Sequence, residues 1–198
     1  MKPCDVDQIS GEMAAGLSAE AAWAVQGLLS SVAELSLQIE GYNREIEQIE
    51  KRYPEVELLK QVYGVGVLVG LTFILTLEDP HRFRHSRDVG PLLGLVPQQH
   101  DSGEHQPELR ITKAGDGLLR SLLVQGAHCI IRKGAPESDL QRWAADHQGK
   151  SGKGRKKKVV VAVARKLAVL LHHLWVSGEV YDPHYNKKLT ERRQKTAA

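Results

Sequence analysis

An all-α fold is predicted: one long N-terminal helix with a narrow apolar seam, then a compact helical domain that contains a helix-hairpin-helix. Three observations predict it. Aromatic residues make up only 5% of the 198 residues, and Ala, Leu, Glu and Lys are plentiful. From Ala21 to Tyr53 the apolar positions alternate steps of four and three without a miss. Further on, Leu118, Leu119, Leu122, Leu123, Gly126, Ile130 and Ile131 mark one face of a helix. With 41% hydrophobic and 26% charged residues, the chain can bury one modest core plus an appended element.

Residues 1–17 hold Pro3 and Gly11 and no periodicity, and read as a flexible tail. Residues 18–54 read as a coiled-coil helix. Its seam runs Ala21, Val25, Leu28, Val32, Leu35, Ile39, Tyr42, Ile46, Ile49, Tyr53, a period of 3.5 rather than 3.6. Glu34, Glu40, Glu45, Glu47 and Glu50 lie off that seam. Gly27 and Gly41 are its weak points, each costing about 1 kcal/mol relative to alanine. So narrow a stripe does not stabilise an isolated helix of about 50 Å, so it must pair with a copy of itself or fold back on the C-terminal helices. A homodimer or higher oligomer is expected.

Residues 55–182 read as the helical domain, entered where Pro54 stops the first helix. Glu55 to Tyr63 forms a helix, Gly64-Val65-Gly66 a hairpin, and a third helix continues through Leu77. In helix-hairpin-helix modules such glycines bring amide N–H groups against a DNA phosphate; the same glycines also let two helices cross closely. The uncharged stretch Val62 to Leu77 is short of a membrane span and broken by glycines, so it reads as core. After Asp79-Pro80, Phe83 reads as an anchor for a short helix from Ser86 to Leu93, and His81 and His85 as a surface pair rather than metal ligands.

The stretch from Gly94 to Arg120 gathers an isolated hydroxyl, Ser102, with His100, His105 and three fixed cations, Arg110, Lys113 and Arg120. Gly103 beside the serine allows close backbone approach. That is the composition of a phosphate site, because a serine attacking phosphorus needs cations to lower its pKa and to neutralise the phosphoryl oxygens. Asp116 then caps a helix from Gly117 to Arg132, Gly134 to Pro136 breaks the chain, and Glu137 to His147 forms a short helix with Trp143. The 148–154 segment, QGKSGKG, lacks the spacing of a phosphate-binding P-loop. The last helix, Val159 to Val176, is apolar enough for deep burial, and residues 183–198 read as a second flexible tail.

The net charge is only +3, but the charges are segregated. Acids prevail before Tyr53, whereas Lys150, Lys153, Arg155, Lys156, Lys157, Lys158, Arg165 and Lys166 form a basic block that suits a polyanion. DNA is the expected partner. Cys4 and Cys129 are too few and too distant for a disulfide framework, and Met1 to Met13 lacks the layout of a signal peptide, so a cytoplasmic protein with no membrane partner is expected.

Gly94-Leu95-Val96-Pro97, then Ser102-Gly103, then Arg110-Ile111-Thr112-Lys113-Ala114-Gly115-Asp116, then Leu118 to Leu123 resemble, in this order, the C-terminal domain of the IS one-ten, one-sixteen and nine-oh-two family of insertion-sequence transposases. The resemblance covers residues 58 to 130 well and continues loosely to 186. Leu109 stands where the family usually has Gly, and Asp116 where it usually has Asn. The resemblance implies serine-type DNA transposition or site-specific recombination with Ser102 as nucleophile, and phosphate contacts from Gly64, Gly66, Gly103, Arg110, Lys113, Arg120, Lys156, Lys157 and Lys158. It also implies a RuvC-like domain whose acidic residues bind magnesium, and a structured guide RNA. Nothing in this sequence matches that domain, so no metal or cofactor is expected on this chain alone and magnesium is expected from a domain supplied elsewhere. The chain then reads as a fragment, a remnant or a subunit. A non-catalytic DNA-binding dimer and a structural coiled-coil adaptor are the rival readings; Lys156 to Lys158 argue against the adaptor.

Overall fold

The computed structural model describes residues 18–99, 109–148 and 155–196, the last six of these by backbone alone. The described residues form an all-α protein, with no β pairing among them beyond one isolated bridge between Pro97 and Ile111. The chain divides into two compact units, one up to Arg52 and one from Tyr53 onward.

The first unit is a single helix of 32 residues, α1, Ala19–Glu50. The Ser18 hydroxyl caps it by accepting from Ala21 N at 3.3 Å. None of its residues is buried. On the heptad seam Leu28, Leu35, Ile39 and Tyr42 are 68, 57, 59 and 64% exposed, and off the seam Trp23 and Leu37 are 81 and 69% exposed. Glycines 27 and 41 meet nothing within 4 Å, so they cost helix propensity without serving a close contact. The helix ends at Glu50, before Pro54, and Pro54 instead occupies the N-cap of the next helix.

The second unit is built on α5, Gly117–Ile131, and α7, Arg155–Ser177. The helix α7 packs against α5, α6 (Asp139–Gln148), α2 (Glu55–Lys60) and α4 (Val89–Leu92). Its buried face runs Val159, Val160, Val163, Ala164, Leu167, Ala168, Leu171, His172, Leu174, a wide stripe at helical spacing. By length and composition α7 is the one described helix that would cross a membrane, and that same apolar face forms the core here. The third helix, α3 (Val67–Leu77), is likewise core, with Phe73 and Leu77 fully buried.

The most deeply buried polar residue described is His172. His172 Nε2 lies 2.9 Å from the Pro80 carbonyl and Nδ1 lies 3.0 Å from Ser86 Oγ. A carbonyl only accepts, so Nε2 carries the proton, and in the neutral ring Nδ1 accepts from the Ser86 hydroxyl. Phe83 packs edge-on to this imidazole at 5.3 Å. The residue thus fastens the 80–86 connection to α7, and Phe83 anchors the turn as expected. The helix expected from Ser86 to Leu93 is a 3-10 turn, Ser86–Asp88, running into α4.

Residues 183–198, expected to be a tail, carry an eighth helix, α8, Tyr185–Thr196. Polar groups both near and distant in sequence bond to its first turn and the residues before it. Asp182 Oδ1 accepts from His184 N at 2.9 Å and Asp139 Oδ2 from Asn186 N at 2.6 Å, while Arg142 holds Asp139 and Glu137. Tyr181, whose pKa is raised by burial, leads into it with its N–H bonded to Gln61 at 2.9 Å.

Candidate functional site

Ser102 and Gly103 lie outside the described residues; what the structure defines is the base from which their segment springs. Gln98 N donates to the Arg110 carbonyl at 2.9 Å, Thr112 N to Val96 O at 2.9 Å, and Lys113 N to Gly94 O at 3.2 Å. The two ends of the segment are therefore joined backbone to backbone. Two glycines make the approach possible. Gly94 has φ +63°, and a Cβ there would meet the Ala114 N and O at 2.4 Å; Gly115 has φ +73°, and a Cβ there would meet the Leu92 carbonyl at 1.9 Å. Between them Lys113 also adopts a left-handed conformation, φ +57°, a strained state for a lysine that the surrounding pairing holds.

The three cations separate into two roles. Arg110 and Lys113 have exposed side chains at this base. Arg120 is half-buried, and its Nη1 donates to the carbonyls of Leu93 at 3.1 Å and Ala114 at 2.9 Å. It ties together the two strands that Gly94 and Gly115 interlock. Asp116 Oδ1 accepts from Leu119 N at 2.6 Å, so aspartate does cap α5. The pairing, the interlock and the Arg120 clasp were not foreseen from the sequence. The signal available was a glycine at each end of a Pro-containing stretch.

The hairpin glycines also differ from one another. Gly64, φ +89°, packs on α5: its Cβ would lie 2.7 Å from the Gly126 carbonyl, and a Cβ on Gly126 would lie 2.9 Å from the Gly64 carbonyl. Here the close crossing of two elements uses the glycine. Gly66 is exposed, meets nothing within 4 Å, and sits at the N-cap of α3, where no side chain caps the helix. Tyr63 beside them accepts a 2.6 Å bond from Arg132 Nη2. The helix expected to reach Tyr63 ends at Lys60, and 61–66 form the connection.

The helix α7 starts at Arg155, four residues before the expected Val159. Arg155, Lys156, Lys157 and Lys158 therefore fill its first turn, with no acid among them. Arg155 Nε donates to the His147 carbonyl at 2.8 Å, and the three lysines are exposed. Cations at a helix N-terminus oppose the macrodipole, so this arrangement disfavours folding and favours an anion.

Residues 56–142 match the Transposase IS116/IS110/IS902 family. The chain is 31% identical over 141 residues to the transposase for insertion sequence element IS1111A of Coxiella burnetii, an alignment covering 71% of this chain and 38% of that protein. It is 30% identical over 145 residues to the transposase for insertion sequence element IS1328 of Yersinia enterocolitica, covering 73% of this chain and 42% of that one. Residues 56–142 carry the transposase domain of the IS116/IS110/IS902 family. It spans about two fifths of the length of these relatives.

The IS116/IS110/IS902 match takes in the hairpin glycines, the 100–108 segment and the loop base with Arg110, Lys113 and Arg120; Lys156 to Lys158 lie beyond it. Among the described residues no three His, Cys, Asp or Glu side chains are placed to hold a metal ion, so these residues do not fit the magnesium centre that the family resemblance implies. His81 and His85 are exposed, with the His85 backbone N–H bonded to Asp88.

Proposed function

We propose that this chain supplies the serine-nucleophile half of a DNA transposition or site-specific recombination reaction at insertion-sequence ends. The supporting observation is the loop base: paired backbones join the two ends of the Ser102 segment, with the Arg110 and Lys113 side chains exposed beside it. In the step proposed, Ser102 Oγ attacks a DNA phosphorus as the P–O bond to one neighbouring sugar breaks. The serine proton passes to a base and the leaving sugar oxygen takes up a proton, so one phosphoester replaces another and re-ligation needs no external energy. Fixed guanidinium and ammonium charges stabilise the charge on the phosphoryl oxygens. Magnesium is expected from a RuvC-like domain supplied elsewhere, and a guide RNA is a further expected partner.

DNA is held in this reading by Lys156, Lys157 and Lys158, by the Gly64 to Gly66 hairpin and by Gly103, and two copies associate through α1. Binding weakens steeply with salt, because phosphate contacts release counterions, and replacing the three lysines with Gln flattens that slope. A slope unchanged by the triple substitution would remove them from the interface. Given a RuvC-like partner domain, magnesium and guide RNA, the chain forms a covalent DNA adduct that is lost in Ser102→Ala and kept in Ser121→Ala, an exposed serine of α5. Peptide mapping decides the point: attachment at any other residue sinks the assignment. A chain that binds DNA as a dimer yet never forms the adduct is instead a non-catalytic DNA-binding regulator, a reading favoured by the basic first turn of α7, which needs no nucleophile.

A further inference from the structure

Between α7, the start of α6 and the 179–186 segment lies a cleft of about 510 Å3, remote in sequence from the Ser102 segment. Its volume falls in the range of ligand sites, about 300–1,000 Å3. The floor is apolar: Leu140 and Leu174 are buried there and Val169 is half-buried. Tyr181 is half-buried in the wall, and Tyr185 stands at the rim, 61% exposed.

The charges around this cleft are unequal in what they have left to offer. Asp139 is spent on Arg142 and the Asn186 N–H, Asp182 on Lys188 and the His184 N–H, and Glu179 faces His173 at 3.7 Å. Arg87 and Arg165 also line it, and among the described residues neither guanidinium makes a hydrogen bond or ion pair. Lys166 lies over the Trp143 ring at 4.7 Å, with no ion pair to a carboxylate among the described residues. Fixed cations without counter-charge, flat apolar walls and two phenol rings make a complementary surface for a planar base joined to a phosphate.

We infer that this cleft receives an unpaired nucleotide of a DNA strand, the base between Tyr185 and the apolar floor and the phosphate toward Arg87 and Arg165. A base still paired in a duplex presents only its edge and cannot enter, so the site selects single strands. DNA rather than RNA is the strand that the proposed function brings to this chain. The inference rests on the reading that this chain binds nucleic acid, but on different residues from Lys156 to Lys158.

The test is anisotropy of a labelled oligo-deoxythymidine, an oligo-uridine and a blunt duplex of equal length, with the full chain. Tyr185→Ala should weaken the deoxythymidine strand at least about fivefold and leave the duplex unchanged, and Tyr185→Phe should retain binding. Arg87→Gln, at an exposed position, should lower the single-strand salt slope by about 0.7. A 5-iodouracil strand should crosslink to Tyr181 or Tyr185. Unchanged single-strand binding in both variants, with loss only on changing Lys156 to Lys158, overturns the cleft and spares the proposed function. No binding to any strand overturns both. Tighter binding of oligo-uridine overturns the assignment to DNA, and a Tyr185→Ala chain that sediments as a smaller species than wild type identifies the cleft as a contact between copies.

Discussion

The two longest helices bury their apolar residues in opposite ways. The 32 residues of α1 bury none, while nine of the 23 residues of α7 are buried. Composition separates them only in part, since Ala and Leu recur in both while Val is frequent in α7 alone. Spacing does the rest. In α7 the buried positions come in adjacent pairs, 159 and 160, 163 and 164, 167 and 168, 171 and 172, wide enough to meet several neighbours at once. In α1 the apolar positions form a line one residue wide, which a single parallel or antiparallel helix covers and a globular core does not. A wide face makes a domain; a narrow seam asks for a partner.

Four substitutions or conditions test that contrast. The largest effect is expected from Ile39→Lys, which puts an ammonium on the seam at a cost of several kcal/mol to association. Sedimentation should show wild-type dimers and variant monomers, with the melting of the second unit unaltered; a monomeric wild type sinks the idea. Next comes Leu167→Ala in α7, where a fully buried side chain is lost and about 2–5 kcal/mol of stability with it. Thermal unfolding followed by circular dichroism should fall by several degrees, whereas Leu35→Ala in α1 should leave that transition in place. Equal shifts from the two changes would show that the helices are not distinct in kind.

A smaller effect is expected at the loop base. Arg120→Ala removes two bonds to carbonyls and should cost about 1–3 kcal/mol, with Arg120→Lys recovering part. The salt slope of DNA binding should stay constant, because the guanidinium is engaged by Leu93 and Ala114; a slope lowered by about one unit would make it a phosphate ligand instead. The smallest effect is a pH dependence of α8. The Arg142 guanidinium holds the Glu137 carboxyl below its ordinary value, and Lys188, then the His184 N–H, do the same for Asp182. Groups with lowered pKa stabilise above their ordinary range, and that stabilisation goes as pH falls through and below it, under about pH 4. The protection of the 185–190 amides, taken relative to their slower intrinsic exchange in acid, should fall there; equal protection factors at pH 7 and pH 3 would contradict it.

Much of this fold was legible because its helices are written as local periods. The presence of α1, the Asp116 cap and the α5 face needed only neighbours three and four residues away, although α1 stops at Glu50, short of the expected Pro54. The helix α8 was missed because its sequence has no apolar stripe and its first N–H groups bond to Asp182 and to Asp139, the latter 47 residues back. The role of His172 was equally hidden, since Ser86 is 86 positions distant. At the candidate site the order of Gly94, Arg110, Lys113 and Arg120 was readable as cation chemistry. That Arg120 is committed to carbonyls was not, because the two segments it joins meet only in three dimensions. The basic block was recognised, but its helix starts four residues early because propensity allows lysine in a first turn even where the dipole does not favour it.

The contact between Gly64 and Gly126 has a mechanical consequence. Gly126 sits on the same helix as Arg120, six residues on, about 9 Å along a rod with no glycine or proline between them. One end of that rod clasps the loop base, and its middle bears directly on the hairpin with no side chain as a cushion. Backbone against backbone leaves no rotamer to absorb a displacement. Load applied at the hairpin is therefore delivered to the root of the Ser102 segment as a rigid push, and the two cannot be repositioned independently without breaking one of the joints.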